Sequence, residues 1–122
     1  MKMEKVTGIG GFFFRSKDPK ALALWYEKNL GIAPIPSGPG QEPWEQEAGT
    51  TAFAPFKETS DKFGDPNKVW MLNFRVRNMD KMAAQLQAAG IDVKVDPNTD
   101  YGKFALLHDP EGNPIELWEP TE

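Results

Sequence analysis

Two helix frames recur about 60 residues apart in the chain, and this repeat limits its folds more than any other feature. The first opens on Asp18-Pro19, with Asp at the N-cap and Pro at the first helical position, where its missing N–H costs nothing. Leu22, Trp25, Tyr26 and Leu30 then recur at helical spacing, and Gly31 supplies a C-terminal stop. The second opens on Asn78, carries its apolar stripe on Met79, Met82, Ala83, Leu86 and Ala89, and stops at Gly90. The aromatic and methionine stripes read as core, since an amphipathic helix buries one face.

Each frame follows a strand pattern. Val6–Arg15 sets Phe12 and Phe14 on one face and Gly11, Phe13 and Arg15 on the other. Its glycines Gly8, Gly10 and Gly11 read equally as a bulge or as a place where a ligand approaches the backbone. Val69–Arg77 is the clearest alternation, with Trp70, Leu72, Phe74 and Val76 against Met71, Asn73, Arg75 and Arg77: a half-buried strand with a polar second face. After the first helix, Ile32–Pro36, Trp44–Ala48 and Thr50–Pro55 read as short strands, the last two joined at Gly49. Phe56–Lys68 is polar and long enough to serve as a lid or as a linker between two halves. After the second helix, Ile91–Val95 reads as a strand, Pro97–Tyr101 as a turn-rich loop, and Gly102 leads into the next strand. The order is therefore strand, helix, three strands, twice.

The last of these strands ends in a turn with a mechanism. In Asp109-Pro110-Glu111-Gly112, Asp109 caps the turn, Pro110 presets φ and Gly112 can take φ > 0. Beyond it Ile115 and Leu117 alternate with Glu116 and Trp118. If the aliphatic pair faces a core, Glu116 and Trp118 face the other side of the sheet, and a carboxylate there needs a cation or a function. Arg75 and Arg15, on the corresponding faces of their strands, are the candidate partners.

Composition removes whole classes of chemistry. With no cysteine there are no disulfides, thiol nucleophiles or thiolate metal sites, and a cytoplasmic location is the expectation. A single histidine, His108, cannot build a multi-histidine metal centre within one chain, and it is expected to face solvent or the adjacent turn. No nucleophile elbow accompanies His108 and Asp109, and Gly8-Ile9-Gly10-Gly11 lacks the lysine spacing of a phosphate loop. A net charge of -4 gives nucleic acid no electrostatic foothold. No apolar run approaches the ~20 residues of a membrane span.

Arg15-Ser16-Lys17-Asp18-Pro19 with Trp25-Tyr26 and Leu30-Gly31, the helix ending Ala88-Ala89-Gly90-Ile91, and Asp109-Pro110-Glu111-Gly112-Asn113-Pro114-Ile115-Glu116-Leu117 together resemble the vicinal-oxygen-chelate superfamily of glyoxalase, bleomycin-resistance and extradiol-dioxygenase proteins. The resemblance covers almost the whole chain. It implies an α+β fold of two βαβββ modules, about residues 1–60 and 66–122 of a single domain, forming a curled mixed sheet around a cavity with helices outside. It also implies a homodimer. Metal-binding members take ligands from the first and a later strand of each module. The matching positions here are Gly11, Met71, the stretch Phe53-Ala54-Pro55, and Glu116. Only Glu116 offers a donor, short of the three or four protein ligands that zinc or iron sites use.

The expectation is therefore a small-molecule-binding protein with no cofactor and no catalytic metal. Its ligand would meet Phe13, Trp44, Met71, Asn73, Arg75, Glu116 and Trp118, aromatic walls with a few convergent polar groups. The alternatives are a metal-dependent lyase or dioxygenase built on Glu116, and a structural member with a vestigial pocket.

Overall fold

A computed structural model describes residues 3–121. Six elements follow in chain order: α1 (Pro19–Leu30), β1 (Leu72–Arg75), α2 (Met79–Ala88), β2 (Lys94–Thr99), β3 (Gly102–His108) and β4 (Pro114–Pro120). Both helices start where their caps place them. The Asp18 carboxylate accepts from the Ala21 N–H at 3.1 Å, and the Asn78 side chain accepts from the Lys81 N–H at 3.0 Å. At the far end of α1 the Gly31 N–H returns to the Glu27 carbonyl.

The strands form one mixed sheet in the order β1-β4-β3-β2. β1 runs parallel to β4, as the α2 crossover requires, and the other pairs are antiparallel hairpins. Ala105, Leu107, Ile115 and Leu117 cover one face of the sheet. Against it pack Leu22 and Tyr26 from α1 and Met79, Ala83 and Leu86 from α2, with Phe74 and Val93 completing the core. The fold is thus α+β, with both helices on one side of an open four-stranded sheet. No helix among the described residues is long and apolar enough to cross a membrane.

Residues 72–120 contain a complete βαβββ unit. The first half contributes α1, but the strands expected at Val6–Arg15, Ile32–Pro36, Trp44–Ala48 and Thr50–Pro55 join no ladder among the described residues. Alternation declares which side of a segment is apolar; a strand also needs a partner, and these segments pair with none among the described residues. Phe12 and Phe14 still share a side, packing on Trp70 with ring centroids 5.0 Å away in each case. Phe56–Lys68 is a run of tight turns whose last residue is anchored, the Lys68 ammonium donating to Asn113 Oδ1 at 3.1 Å.

A second difference concerns β2, which begins at Lys94 rather than Ile91 and runs through Pro97 to Thr99, across the expected loop. It is an edge strand, where proline's missing donor faces no neighbour, and its register shifts between Asp96 and Thr99. Gly102 opens β3 at φ +123, and a Cβ there would lie 2.1 Å from the Glu119 carbonyl oxygen, so only glycine lets β3 and β4 close at this point.

The turn between β3 and β4 ties the two halves together. Asp109 Oδ1 accepts from the Glu111 and Asn113 N–H groups at 2.9 and 3.0 Å, and its Oδ2 accepts from Asn113 Nδ2 at 2.7 Å. The Tyr26 hydroxyl of α1 donates to the same Oδ2 at 2.6 Å. Burial first, and then the Asp109 carboxylate, push the Tyr26 phenol far above its ordinary range. One residue on, the Glu111 carboxylate accepts from the Ser16 hydroxyl at 2.7 Å and from the Lys17 and Asp18 N–H groups at 2.9 and 3.2 Å. The Ser16 bond leads in holding Glu111 below its usual range, followed by the Lys17 N–H. The segment entering α1 is thereby latched to the end of the sheet.

Candidate ligand-binding face

The face of the sheet opposite the helices carries the chemistry. Register places Asn73, Glu116, Leu106 and Lys94 in one row across β1, β4, β3 and β2. The next row holds Arg75, Trp118, Phe104 and Asp96. Because side chains alternate along each strand, both rows point away from the core.

Three arrangements define this face. Phe104 and Trp118 lie nearly parallel, ring centroids 6.1 Å apart and planes at 12°, forming a stacked aromatic floor. The Trp118 indole N–H donates to the Tyr101 carbonyl at 2.9 Å, which fixes the ring. Beside the floor, Asn73 Nδ2 donates to Glu116 Oε1 at 2.7 Å. Arg75 turns its guanidinium outward and donates to the Glu47 carbonyl at 2.9 Å, while the Glu47 carboxylate pairs with Arg77. The carboxylate partner is therefore an amide and neither expected arginine: no cation among the described residues lies within ion-pair distance of Glu116. Arg75 and Glu116 stand on neighbouring strands in different rows, and the Glu47 carbonyl draws the arginine away.

Of the residues singled out from sequence, Asn73, Arg75, Glu116 and Trp118 come together here. Met71 is half-buried just before β1. Phe13 and Trp44 stand on extended segments outside the sheet, 84% and 45% exposed. Phe104 and Leu106 were not anticipated, although the alternation Phe104, Leu106, His108 against Ala105, Leu107 was in the sequence and placed them opposite the core. His108 is exposed at the end of β3, opposite Pro114.

The donor set does not fit a divalent metal. Gly11, Met71, Phe53, Ala54 and Pro55 offer no carboxylate or imidazole, and Glu116 already accepts from Asn73. No group of three or more His, Cys, Asp or Glu side chains among the described residues could hold an ion. What the face can do is stack a ring and present the Glu116 carboxylate and the Arg75 guanidinium beside it, with Lys94 and Asp96 on the edge strand.

Comparison with known proteins supports this frame. The glyoxalase-like domain family matches residues 11–118. Among solved structures, TnmS3, an antibiotic binding protein from Streptomyces sp. CB03234, aligns over 98% of this chain and 100% of its own, with 25% identity and a TM-score of 0.66. A glyoxylase/bleomycin resistance protein/dioxygenase domain from Frankia sp. EAN1pec aligns over 96% of this chain and 100% of its own, at 18% identity and a TM-score of 0.62. Lactoylglutathione lyase from Agrobacterium tumefaciens aligns over 95% of this chain and 96% of its own, at 18% identity and a TM-score of 0.60. The last two likenesses concern the fold alone. No match is found among curated proteins.

Proposed function

The chain belongs to the glyoxalase-like domain family, and from that premise we propose that it binds a small organic molecule on the open sheet face, without a catalytic metal. The observation that carries this reading is the parallel Phe104–Trp118 pair, held flat beside Glu116 and Arg75. A stack of this kind offers a ring system dispersion and quadrupole attraction of about 0.5–1.5 kcal/mol beyond area burial. The antibiotic-binding protein TnmS3, alike over its full length, supports the same class of ligand.

The working form is proposed to be a cytoplasmic homodimer. A compact 13.7 kDa monomer is expected to expose about 6,600 Å². This chain exposes 10019 Å², and Val6, Phe13, Ile35 and Phe53 are each at least 80% exposed. The excess is about 3,400 Å² per chain, or about 6,800 Å² for two copies, at or beyond the upper end of what permanent dimers bury.

Isothermal titration of the purified protein with a panel of planar aromatic compounds tests the binding reading. Micromolar or tighter binding by at least one compound, lost in Trp118→Ala while the fold persists by circular dichroism, is the expected result. Binding that survives the loss of Trp118 would place the ligand elsewhere and end the proposal. A sedimentation velocity mass near 13.7 kDa at micromolar protein would end the dimer reading.

A further inference from the structure

Resting on the small-molecule reading above, we infer that the site selects ligands carrying a cationic group, through a Glu116 carboxylate positioned by Asn73. Glu116 sits at the middle of the open face, between Asn73 on β1 and Leu106 on β3, one row from the aromatic floor. It is half-buried and carries a charge with no compensating cation within ion-pair distance among the described residues. With no cation beside it, the carboxylate is available to a cationic group of a ligand.

The Asn73 amide engages one carboxylate oxygen. It donates to Oε1 at 2.7 Å and leaves Oε2 for a further donor. An amide is neutral, so it orients the carboxylate without cancelling its charge. Lysine or arginine at position 73 would do both and close the site to cations. The other positive groups on the face do not reverse its preference. Arg75 is turned to the Glu47 carbonyl. Lys94 is exposed on the edge strand, two strands from Glu116 or about 9–10 Å by strand spacing.

The geometry therefore sets a flat aromatic body on Phe104 and Trp118 and a protonated amine on Glu116. Asn73 is a positioning residue: it acts on the ligand only through the carboxylate it holds.

Three planar three-ring probes separate the contributions in titration calorimetry: proflavine, a cation with amino donors; acridone, neutral; and anthracene-9-carboxylate, an anion. The expected wild-type order is proflavine, then acridone, then the anion. A charge-assisted hydrogen bond makes the first step about tenfold or more. In Glu116→Gln the proflavine-to-acridone affinity ratio should fall to about twofold or less. In Asn73→Ala the ratio should fall severalfold, since the freed carboxylate samples other rotamers. A merely structural role for Asn73 would weaken all three probes alike and leave the ratio unmoved, and melting curves of both variants check that the fold survives. Equal affinities for proflavine and acridone in the wild type, preference for the anion, or a ratio indifferent to Glu116 would overturn the inference while leaving small-molecule binding intact. Failure of all three probes to bind would count against both readings together.

Discussion

Tyr26→Phe removes one atom from the junction between α1 and the sheet. The ring stays: it packs on Trp25 and Phe74 with centroid separations of 5.1 and 6.5 Å, contacts that phenylalanine keeps. What is lost is the 2.6 Å bond from the hydroxyl to Asp109 Oδ2, between residues only 7% and 4% exposed. A hydrogen bond to a charged group contributes about 1.5–3 kcal/mol. Asp109 keeps three donors, the Glu111 and Asn113 N–H groups and Asn113 Nδ2, so its charge is not orphaned and a cost of about 2 kcal/mol is expected. With an unfolding entropy of about 2.1 cal/mol/K per residue, 122 residues give about 0.26 kcal/mol/K, and the melting temperature should fall by about 8 °C. Differential scanning calorimetry at pH 7 reads this directly. The pH dependence supplies a second reading. The folded phenol is held protonated by burial and by Asp109, whereas the unfolded phenol ionises near pH 10. Above that pH the unfolded state binds fewer protons, so wild-type stability falls as pH rises, and Tyr26→Phe should lose this part of the slope. A melting temperature within about 2 °C of wild type, with an unaltered alkaline slope, would refute the claim that this bond joins the two halves.

Glu111 is depressed by its bonds to Ser16 and to the Lys17 and Asp18 N–H groups, so its stabilisation is complete above the ordinary carboxyl value of 4.5 and fades as pH falls below it. Acid melts of Glu111→Gln should show a shallower loss across that window than wild type. Gly102→Ala places a methyl group 2.1 Å from the Glu119 carbonyl at a φ alanine avoids, and should destabilise by about 3 kcal/mol or more, seen as insoluble expression or a collapsed melting temperature. Elemental analysis after purification without chelator should find well under one equivalent of Zn, Ni or Fe. Near-stoichiometric metal that stabilises the wild type but not Glu116→Gln would restore the lyase or dioxygenase alternative.

Much of the fold was legible along the chain because its signals are local. Asp18-Pro19 and Asn78 start helices through bonds to N–H groups three residues on. Asp109 organises its turn through the backbone of Glu111 and Asn113, within four residues of itself. The alternation in Val69–Arg77 and Ile115–Trp118 set the core side of β1 and β4, and thereby put Asn73, Arg75, Glu116 and Trp118 on the other side. A period of two needs no knowledge of the partner strand.

Other features depended on which edges meet. Asn73 and Glu116 are 43 positions apart and touch because β1 pairs with β4 in one register; one residue of slip would have put them on opposite faces of the sheet. The same sequence pattern made Arg75 an equally good partner for Glu116; the β1–β4 register, which sets Arg75 opposite Trp118, and the Glu47 carbonyl decided against it. Phe104 joined the site because the β3–β4 register set it against Trp118. The segments before β1, as well patterned as some that became strands, pair with no strand among the described residues. Caps, turns and the two sides of each strand follow from the local chain, because a few neighbouring atoms satisfy those groups. Tertiary structure alone decided partners, since a β-ladder bond and a carboxylate's counterpart are supplied by chain segments tens of residues away, and a one-dimensional pattern does not choose among them.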